Sequence, residues 1–336
     1  MIKATGESLE SLIKNPALCP LNPWFVTGFT DGEGSFMIRV RKNAKYRTGF
    51  VVEVYFSMDL HKKDLKILQE IQAYFGGVGK IREDVNDKVK FRVESLKDIV
   101  KEIIPHFDKY PLITQKLADY LLFRDVVNMM VNKEHLTKEG LNKIVSTKAV
   151  INLGLPAELQ LYFPDIIPTL RPLVENKAVP HGQWMAGFTS AEGCFKITLV
   201  KRPSSSSRGG ACLLPRGARL PSGETRRIDQ VYLVFQLTQH SRDEKLLGSF
   251  ITFFGCGILE ASSRDPIVRF SVYNFSDNYE KIISFFNRYN IFGVKSIDFQ
   301  DWCKAAEIIK AKQHLTKEGL NLIVTLKSGI NKGRSL

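Results

Sequence analysis

The sequence predicts an α+β protein made of two pseudo-symmetric repeats of one mixed α/β unit, packed through a pair of short helices. Three observations carry that expectation. The stretch VTGFTDGEG at Val26–Gly34 recurs as MAGFTSAEG at Met185–Gly193, keeping both glycines that flank the centre, the Phe-Thr pair and the glutamate. His135–Asn142 recurs unchanged as His314–Asn321, eight identities in eight positions, which is duplication rather than chance. After each nine-residue motif the apolar period switches from helical to two, as where a helix runs directly into a strand.

The first motif helix starts at Asn22-Pro23, because Asn caps free N–H groups and Pro is tolerated in the first turn. Gly32 and Gly34 end it. Gly28 and Gly187 remove the side chains that would hold two such helices apart. A strand follows with Phe36, Ile38 and Val40 on its apolar face and Ser35, Met37, Arg39, Arg41 and Asn43 on the other. A turn carrying Lys45 and Arg47 leads to a return strand, where Val52, Val54, Phe56 and Met58 alternate with Glu53, Tyr55 and Ser57. Five basic residues against one acidic residue over 37–57 suit a surface that reads a nucleic-acid groove.

Lys63–Phe75 predicts an amphipathic helix, and Gly76–Gly79 a helix-to-strand turn rather than a dinucleotide site. A second hairpin places Val89, Phe91 and Val93 inward, with Lys80, Arg82, Lys88, Lys90 and Arg92 on the polar side. Helices at 95–107, 112–130 and 138–149 complete the unit. The second half repeats this order, its groove-facing residues being Cys194, Lys196, Thr198, Arg227, Gln230, Tyr232, Gln236 and Arg269.

Motif residues match at a spacing of 159 and later ones, such as His61/His240 and Asp64/Asp243, at 179, so the second half carries a 20-residue insertion between Ile197 and Val231. Its Arg208, Arg216, Arg219, Arg226 and Arg227 predict a long basic hairpin tip. The expected organisation is an arm at 1–21, a first repeat at 22–151, a linker at 152–182 stiffened by five prolines, and a second repeat at 183–336.

A formal charge of +13 favours a polyanionic partner. Five scattered cysteines show no C-x-x-C spacing, which argues against a zinc site or a disulfide framework. No apolar run reaches the roughly 18 residues of a membrane span, so no membrane is expected, and the N-terminal stretch resembles neither a secretory signal nor an Arg-rich transit peptide. His135 and His314 precede capping threonines and read as structural; His61 and His240 sit beside strand ends, against phosphate or core. No Ser-His-Asp or Cys-His arrangement can be assembled from repeated positions.

Packing of the motif helices brings Glu33 and Glu192 together at two helix C-termini, whose dipoles favour a cation. Small neighbours expose the Gly32 and Ala191 carbonyls as further oxygen ligands. Such a donor set suits Mg²⁺, and metal-assisted phosphodiester hydrolysis would follow.

The nine-residue pattern resembles the LAGLIDADG motif of the homing endonucleases, in the single-chain form that carries two copies. The prolines and the Asn331-Lys332-Gly333-Arg334 tail look most like the fungal mitochondrial group I intron branch. The resemblance implies a saddle-shaped antiparallel sheet in each half, lying in the DNA major groove. It implies divalent metal at Glu33 and Glu192, the last acidic residues of the two motifs, with Lys116, Lys295 and Gln239 nearby. Leu60 stands where the first half would carry that glutamine, and Asp31 against Ser190 is a second asymmetry. The implied activity is cleavage of a double-stranded DNA target of roughly 20 base pairs by a monomer. Cutting would cross the minor groove, leave 3′ overhangs and use two or more Mg²⁺ ions, with Ca²⁺ binding without supporting cleavage. A mitochondrial, organelle-encoded setting is implied too. The alternatives are an RNA maturase that binds its host intron and a DNA-binding protein without chemistry.

Overall fold

The computed structural model describes residues 21–175, 178–200 and 230–331. The arm at 1–20, the insertion at 201–229 with Arg227, and the tail at 332–336 lie outside the described residues.

The chain begins with α1 (Pro23–Glu33), whose Asn22 side chain accepts from the Trp24 amide as the sequence predicts. Strands β1 (Gly34–Lys42) and β2 (Phe50–His61) pair antiparallel, with Arg39 opposite Glu53. Helix α2 (Leu65–Tyr74) is shorter than its predicted span, because 62–64 close as a 3₁₀ turn under the His61 cap. Strands β3 (Lys80–Asp84) and β4 (Lys88–Val93) complete a sheet of order β1-β2-β4-β3. Helix α3 runs over 96–109 with a π turn at Ile99–Ile103, followed by α4 (Lys116–Val131) and α5 (Lys138–Lys148). Helix α4 starts four residues later than expected, because the Asp31 carboxylate takes the Ile113 and Thr114 amides and holds that segment out of the helix.

The second half repeats the order: α7 (Gly182–Glu192), β5 (Gly193–Val200), β6 (Gln230–His240), α8 (Glu244–Phe254), β7 (Ile258–Ala261), β8 (Ile267–Val272), α9 over 275–288, α10 (Val294–Lys310) and α11 (Lys317–Gly329). Its sheet has the order β5-β6-β8-β7. In both sheets the apolar strand residues face the helices and are buried, Phe36, Phe56 and Phe91 in one half and Phe195, Phe235 and Phe270 in the other. The fold is therefore α+β with two pseudo-symmetric halves, each built on a four-stranded antiparallel sheet.

The linker is more ordered than its prolines suggest. Its residues 157–162 form α6 (Ala157–Tyr162), with Pro156 as the N-cap. Tyr162 meets Phe50 edge-on and Phe163 packs tilted against it, and Lys42 donates to the Tyr162 hydroxyl at 2.9 Å. Asn152 belongs with the first repeat, since its amide donates to Phe36 O at 2.8 Å, just as Asn331 donates to Phe195 O at 2.9 Å. Both asparagines take a positive φ, a conformation Asn tolerates better than most residues.

The two cores also interpenetrate. Ile113 of the first half lies in the second core, while Phe292 of the second half packs against the first core, its ring 4.8 Å from that of Phe25. Among the described residues no helix is long and apolar enough to cross a membrane.

Candidate active site

Helices α1 and α7 meet backbone to backbone. A Cβ on Gly28 would strike the Trp184 carbonyl, and one on Gly187 the Phe25 carbonyl, so both glycines are needed for the approach. One turn further on, Gly32 faces Ala191, whose methyl fills the place a Gly32 Cβ would need. Equivalent positions cannot both carry a methyl at the axis.

That approach brings the helix ends, and with them Glu33 and Glu192, into one half-buried cluster. Burial pushes the Glu33 carboxyl above the ordinary glutamate value, and the charge of Glu192 adds to the rise, against Lys295 and Lys116. Burial also raises Glu192, opposed by the same two lysines and by a hydrogen bond from Gln239. The lysine Nζ atoms sit on the helix-end carbonyls. Lys116 donates to Thr30 O and Gly32 O, both at 2.9 Å, and Lys295 to Ser190 O at 3.2 Å and to Ala191 O. Burial pushes both lysines below their usual value, and the surrounding carboxylates resist. An ammonium at a helix C-terminus is favoured by the dipole, and here it bonds last-turn carbonyls, among them Thr30 O, which also accepts from the Gly34 amide.

The five residues assigned to the site by repeat and resemblance, Glu33, Glu192, Lys116, Lys295 and Gln239, thus share one cluster. The Gly32 and Ala191 carbonyls lie within it but are shared with the lysines, so each offers a cation only its remaining lone pair. Two half-buried carboxylates, the charge of Glu192 adding to the raised proton affinity of Glu33, beside helix-end carbonyls, are a hard oxygen donor set for Mg²⁺ or Ca²⁺. Among the described residues no group of three or more His, Cys, Asp or Glu could hold an ion by itself. Phosphate or water oxygens would have to complete the shell, as Mg²⁺ commonly requires.

Around this centre the halves differ. Asp31 is buried and accepts from Ile113 N (3.1 Å), Thr114 N (3.2 Å), Thr114 Oγ1 (2.6 Å) and, across the axis, Trp184 Nε1 (2.8 Å). Its burial outweighs those donors and holds its carboxyl at about 6. The hydroxyl of Ser190, its counterpart, accepts from Phe292 N at 3.1 Å and donates to Ala186 O. Leu60 is buried and apolar where Gln239 reaches Glu192. A cavity of about 290 Å³ opens beside Lys116, lined also by Arg171 and Arg242. Arg171, from the linker, is anchored on Asp119 at 2.6 Å. Sequence patterns passed over Trp184 and Arg171, because neither has a repeated counterpart: Phe25 replaces the former, and the latter lies between the repeats.

The strand residues assigned to groove contact share sheet faces as the alternation predicts. Ser35, Met37, Arg39 and Arg41 share a face with Glu53, Tyr55 and Ser57, and the register adds Arg92, Lys90, Lys88, Lys80 and Arg82 to it. Asn43, Lys45 and Arg47 occupy the β1–β2 turn. Within this face Glu53 pairs with Arg41, and Arg92 lies over the Tyr55 ring at 4.2 Å. In the second sheet Cys194, Lys196 and Thr198 align with Gln236, Tyr232 and Arg269, and Gln230 starts β6. Ser57 and Gln236 lie beneath their neighbours, at 6% and 7% exposure. Gln236 spends its amide on Ser271 and its carbonyl on Lys196, so it orients that lysine rather than reaching outward.

The histidines do local work. His61 and His240 cap the turns after β2 and β6, accepting from the Lys63 and Arg242 amides at 3.2 and 3.1 Å. His135 and His314 precede Thr137 and Thr316, which cap α5 and α11.

The LAGLIDADG endonuclease family model matches residues 26–127 and 185–306. A "Probable intron-encoded endonuclease 2" of Neurospora crassa is 37% identical over 94% of this chain and 66% of its own length. An "Uncharacterized mitochondrial protein RF1" of Saccharomyces cerevisiae is 24% identical over 93% of this chain and 60% of its own. The chain spans only about half to two thirds of the length of such curated relatives. Among solved structures, the I-SmaMI LAGLIDADG homing endonuclease bound to cleaved DNA superposes with a TM-score of 0.85 at 50% identity, covering 94% of this chain and 98% of that one. The same enzyme on an uncleaved target in the presence of calcium ions gives 0.84, again at 50% identity, covering 93% of this chain and 100% of that one.

Proposed function

Because the chain belongs to the LAGLIDADG endonuclease family, we propose that it is a site-specific double-strand DNA homing endonuclease. The single observation that carries the reading is the pair Glu33 and Glu192, abutted at two motif-helix ends and flanked by Lys116 and Lys295. Both carboxylates being present favours cleavage over a maturase or a DNA binder without chemistry.

In this reading the two sheet faces lie in successive major-groove segments, one half-site per repeat, so that a monomer covers roughly 20 base pairs. Arg39, Lys80, Arg82, Lys88 and Lys196 contact bases and phosphates, the phosphate contacts supplying most of the affinity. Glu33 and Glu192 hold divalent cations, Mg²⁺ in the working enzyme, with Ca²⁺ binding without supporting cleavage. The ions, when bound, activate water and stabilise the leaving oxygen. Lys116 and Lys295 hold positive charge beside the scissile phosphates, and Gln239 orients Glu192. Cutting crosses the minor groove and leaves 3′ overhangs. The Ca²⁺ complex of I-SmaMI supports the divalent requirement, and the fungal intron-encoded and mitochondrial relatives support expression in the mitochondrion.

The test is a duplex recovered from a randomised library by cleavage selection. Cutting is expected in Mg²⁺ and none in EDTA. Glu33→Gln or Glu192→Gln should abolish double-strand cleavage and leave affinity within about tenfold, since phosphate contacts are untouched. Full double-strand cleavage by the variant carrying both changes would sink the assignment.

A further inference from the structure

The turns after β2 and β6 end in Asp64 and Asp243, each standing at the N-cap position of the helix that follows. An aspartate there ordinarily accepts from an amide of its own helix. Neither does. Asp64 Oδ1 instead accepts from Val294 N of the second half at 2.7 Å, and Asp243 Oδ1 from Gln115 N of the first half at 2.8 Å. The two bonds are equivalent under the repeat, and each crosses the axis in the opposite direction. Val294 and Gln115 immediately precede Lys295 and Lys116.

The rest of each crossing is built around the same bond. Asp243 is 3% exposed. Gly293 lies so close to Asp64 that a Cβ there would stand 2.5 Å from the carboxylate oxygen. The segments being held are those whose apolar residues sit in the opposite core, Ile113 in the second and Phe292 against the first. Each lysine is thus held at two ends. Its Nζ rests on the motif helix of its own half, and the amide of the residue before it donates to an aspartate of the other half.

We infer that Asp64 and Asp243 are positioning residues that tie the placement of each half's lysine to the opposite half, so that the two strand cuts depend on both repeats being correctly docked. The inference rests on the endonuclease reading for its effect on cleavage. The clamps themselves rest on the geometry alone.

Double-mutant cycles on the full chain and the selected duplex separate the alternatives. Asp64→Ala should lower the single-turnover rate by roughly tenfold, the scale of one lost part-buried hydrogen bond to a carboxylate, with DNA affinity within about threefold. The loss should vanish in a Lys295→Ala background and persist in a Lys116→Ala background; for Asp243→Ala the dependence reverses. Asp64→Asn keeps the acceptor oxygen and should recover most of the rate. Amide hydrogen exchange without DNA gives a second readout: Asp64→Ala should speed exchange at Val294 and leave Gln115 protected, and Asp243→Ala the converse. Equal losses in both lysine backgrounds, or faster exchange at the aspartate's own helix instead, would overturn the inference. If the unaltered chain cuts nothing in Mg²⁺, the endonuclease reading falls, and the exchange pattern alone still decides the clamps.

Discussion

The loop before α4 and its counterpart before α10 are fastened to their motif helices by different chemistry. In the first half a buried carboxylate, Asp31, gathers two amides, a hydroxyl and the indole of Trp184. In the second, the Ser190 hydroxyl takes one amide and returns its proton to the helix. The same divergence recurs nearby. Gln239 corresponds to Leu60, Ala191 to Gly32, and His106, bonded to Tyr74 and near Thr27, stands where the second half has Phe285. What the halves share is the geometry of approach: the glycines at the crossing, the lysines on the helix ends, the asparagines on β1 and β5, and the exchanged aspartates. Duplication has kept the contacts that fix backbone against backbone and let the side chains around them specialise. A misplaced backbone costs both halves at once, whereas a changed side chain is felt in one.

If the shared crossing dominates, changes there should be the most damaging and equal in the two halves. Gly28→Ala and Gly187→Ala should each destabilise by about 3 kcal/mol, the upper end for overpacking, because backbone lies in the way. Gly248→Ala in α8, where a Cβ meets only Leu259 at 3.8 Å, should be neutral or slightly stabilising. Urea denaturation measures all three, and unequal losses at the two motif glycines would break the comparison. Gly32→Ala should also be harmful alone and recover when combined with Ala191→Gly.

The next effect belongs to one half only. Burial holds the His106 imidazole down at about 3, well below its unfolded value. A lowered folded value means that the unfolded chain takes the proton first, so this contribution is complete above the unfolded pKa and is lost as pH falls from about 6.5 towards 3. Between pH 7 and pH 5 it should remove about 2 kcal/mol of stability. His106→Phe, which copies Phe285, should flatten that slope; an unchanged slope in paired melts would show that His106 is not buried neutral.

The smallest effect sharpens the comparison at the site. Gln239 supports Glu192 while Leu60 supports nothing polar, so the strands should be cut at rates differing roughly tenfold, with a nicked intermediate. Gln239→Leu should slow the faster strand and narrow the gap. Equal rates from separately end-labelled strands in the unaltered chain would mean that Leu60 has no consequence.

Much of this was legible without coordinates. Strand faces follow from alternation, the motif helices from Asn22-Pro23 and the glycines, and the candidate metal carboxylates from their occurrence in both copies. Those signals are local or repeated, and periodicity reports them because one face of each element must be buried. Element bounds depart from the sequence pattern where a distant group intervenes: α4 starts late because Asp31 holds Ile113 and Thr114, and the linker helix α6 is tied to the first sheet through Tyr162, which meets Phe50 and Lys42.

By itself the sequence determined the duplication, the α+β class, the pairing of Glu33 with Glu192 and the basic sheet face. Only the tertiary structure decided that Lys116 and Lys295 sit on the carbonyls of Gly32 and Ala191, that Arg41 is tied to Glu53, and that Asp64 and Asp243 leave their own helices for the opposite half. The aspartates read locally as ordinary helix caps, and the choice between an amide in the same helix and one beyond the axis is made by how closely the two cores dock. Docking depends on the fit of residues more than a hundred positions apart, such as Gly28 against Trp184, and no local pattern records that fit.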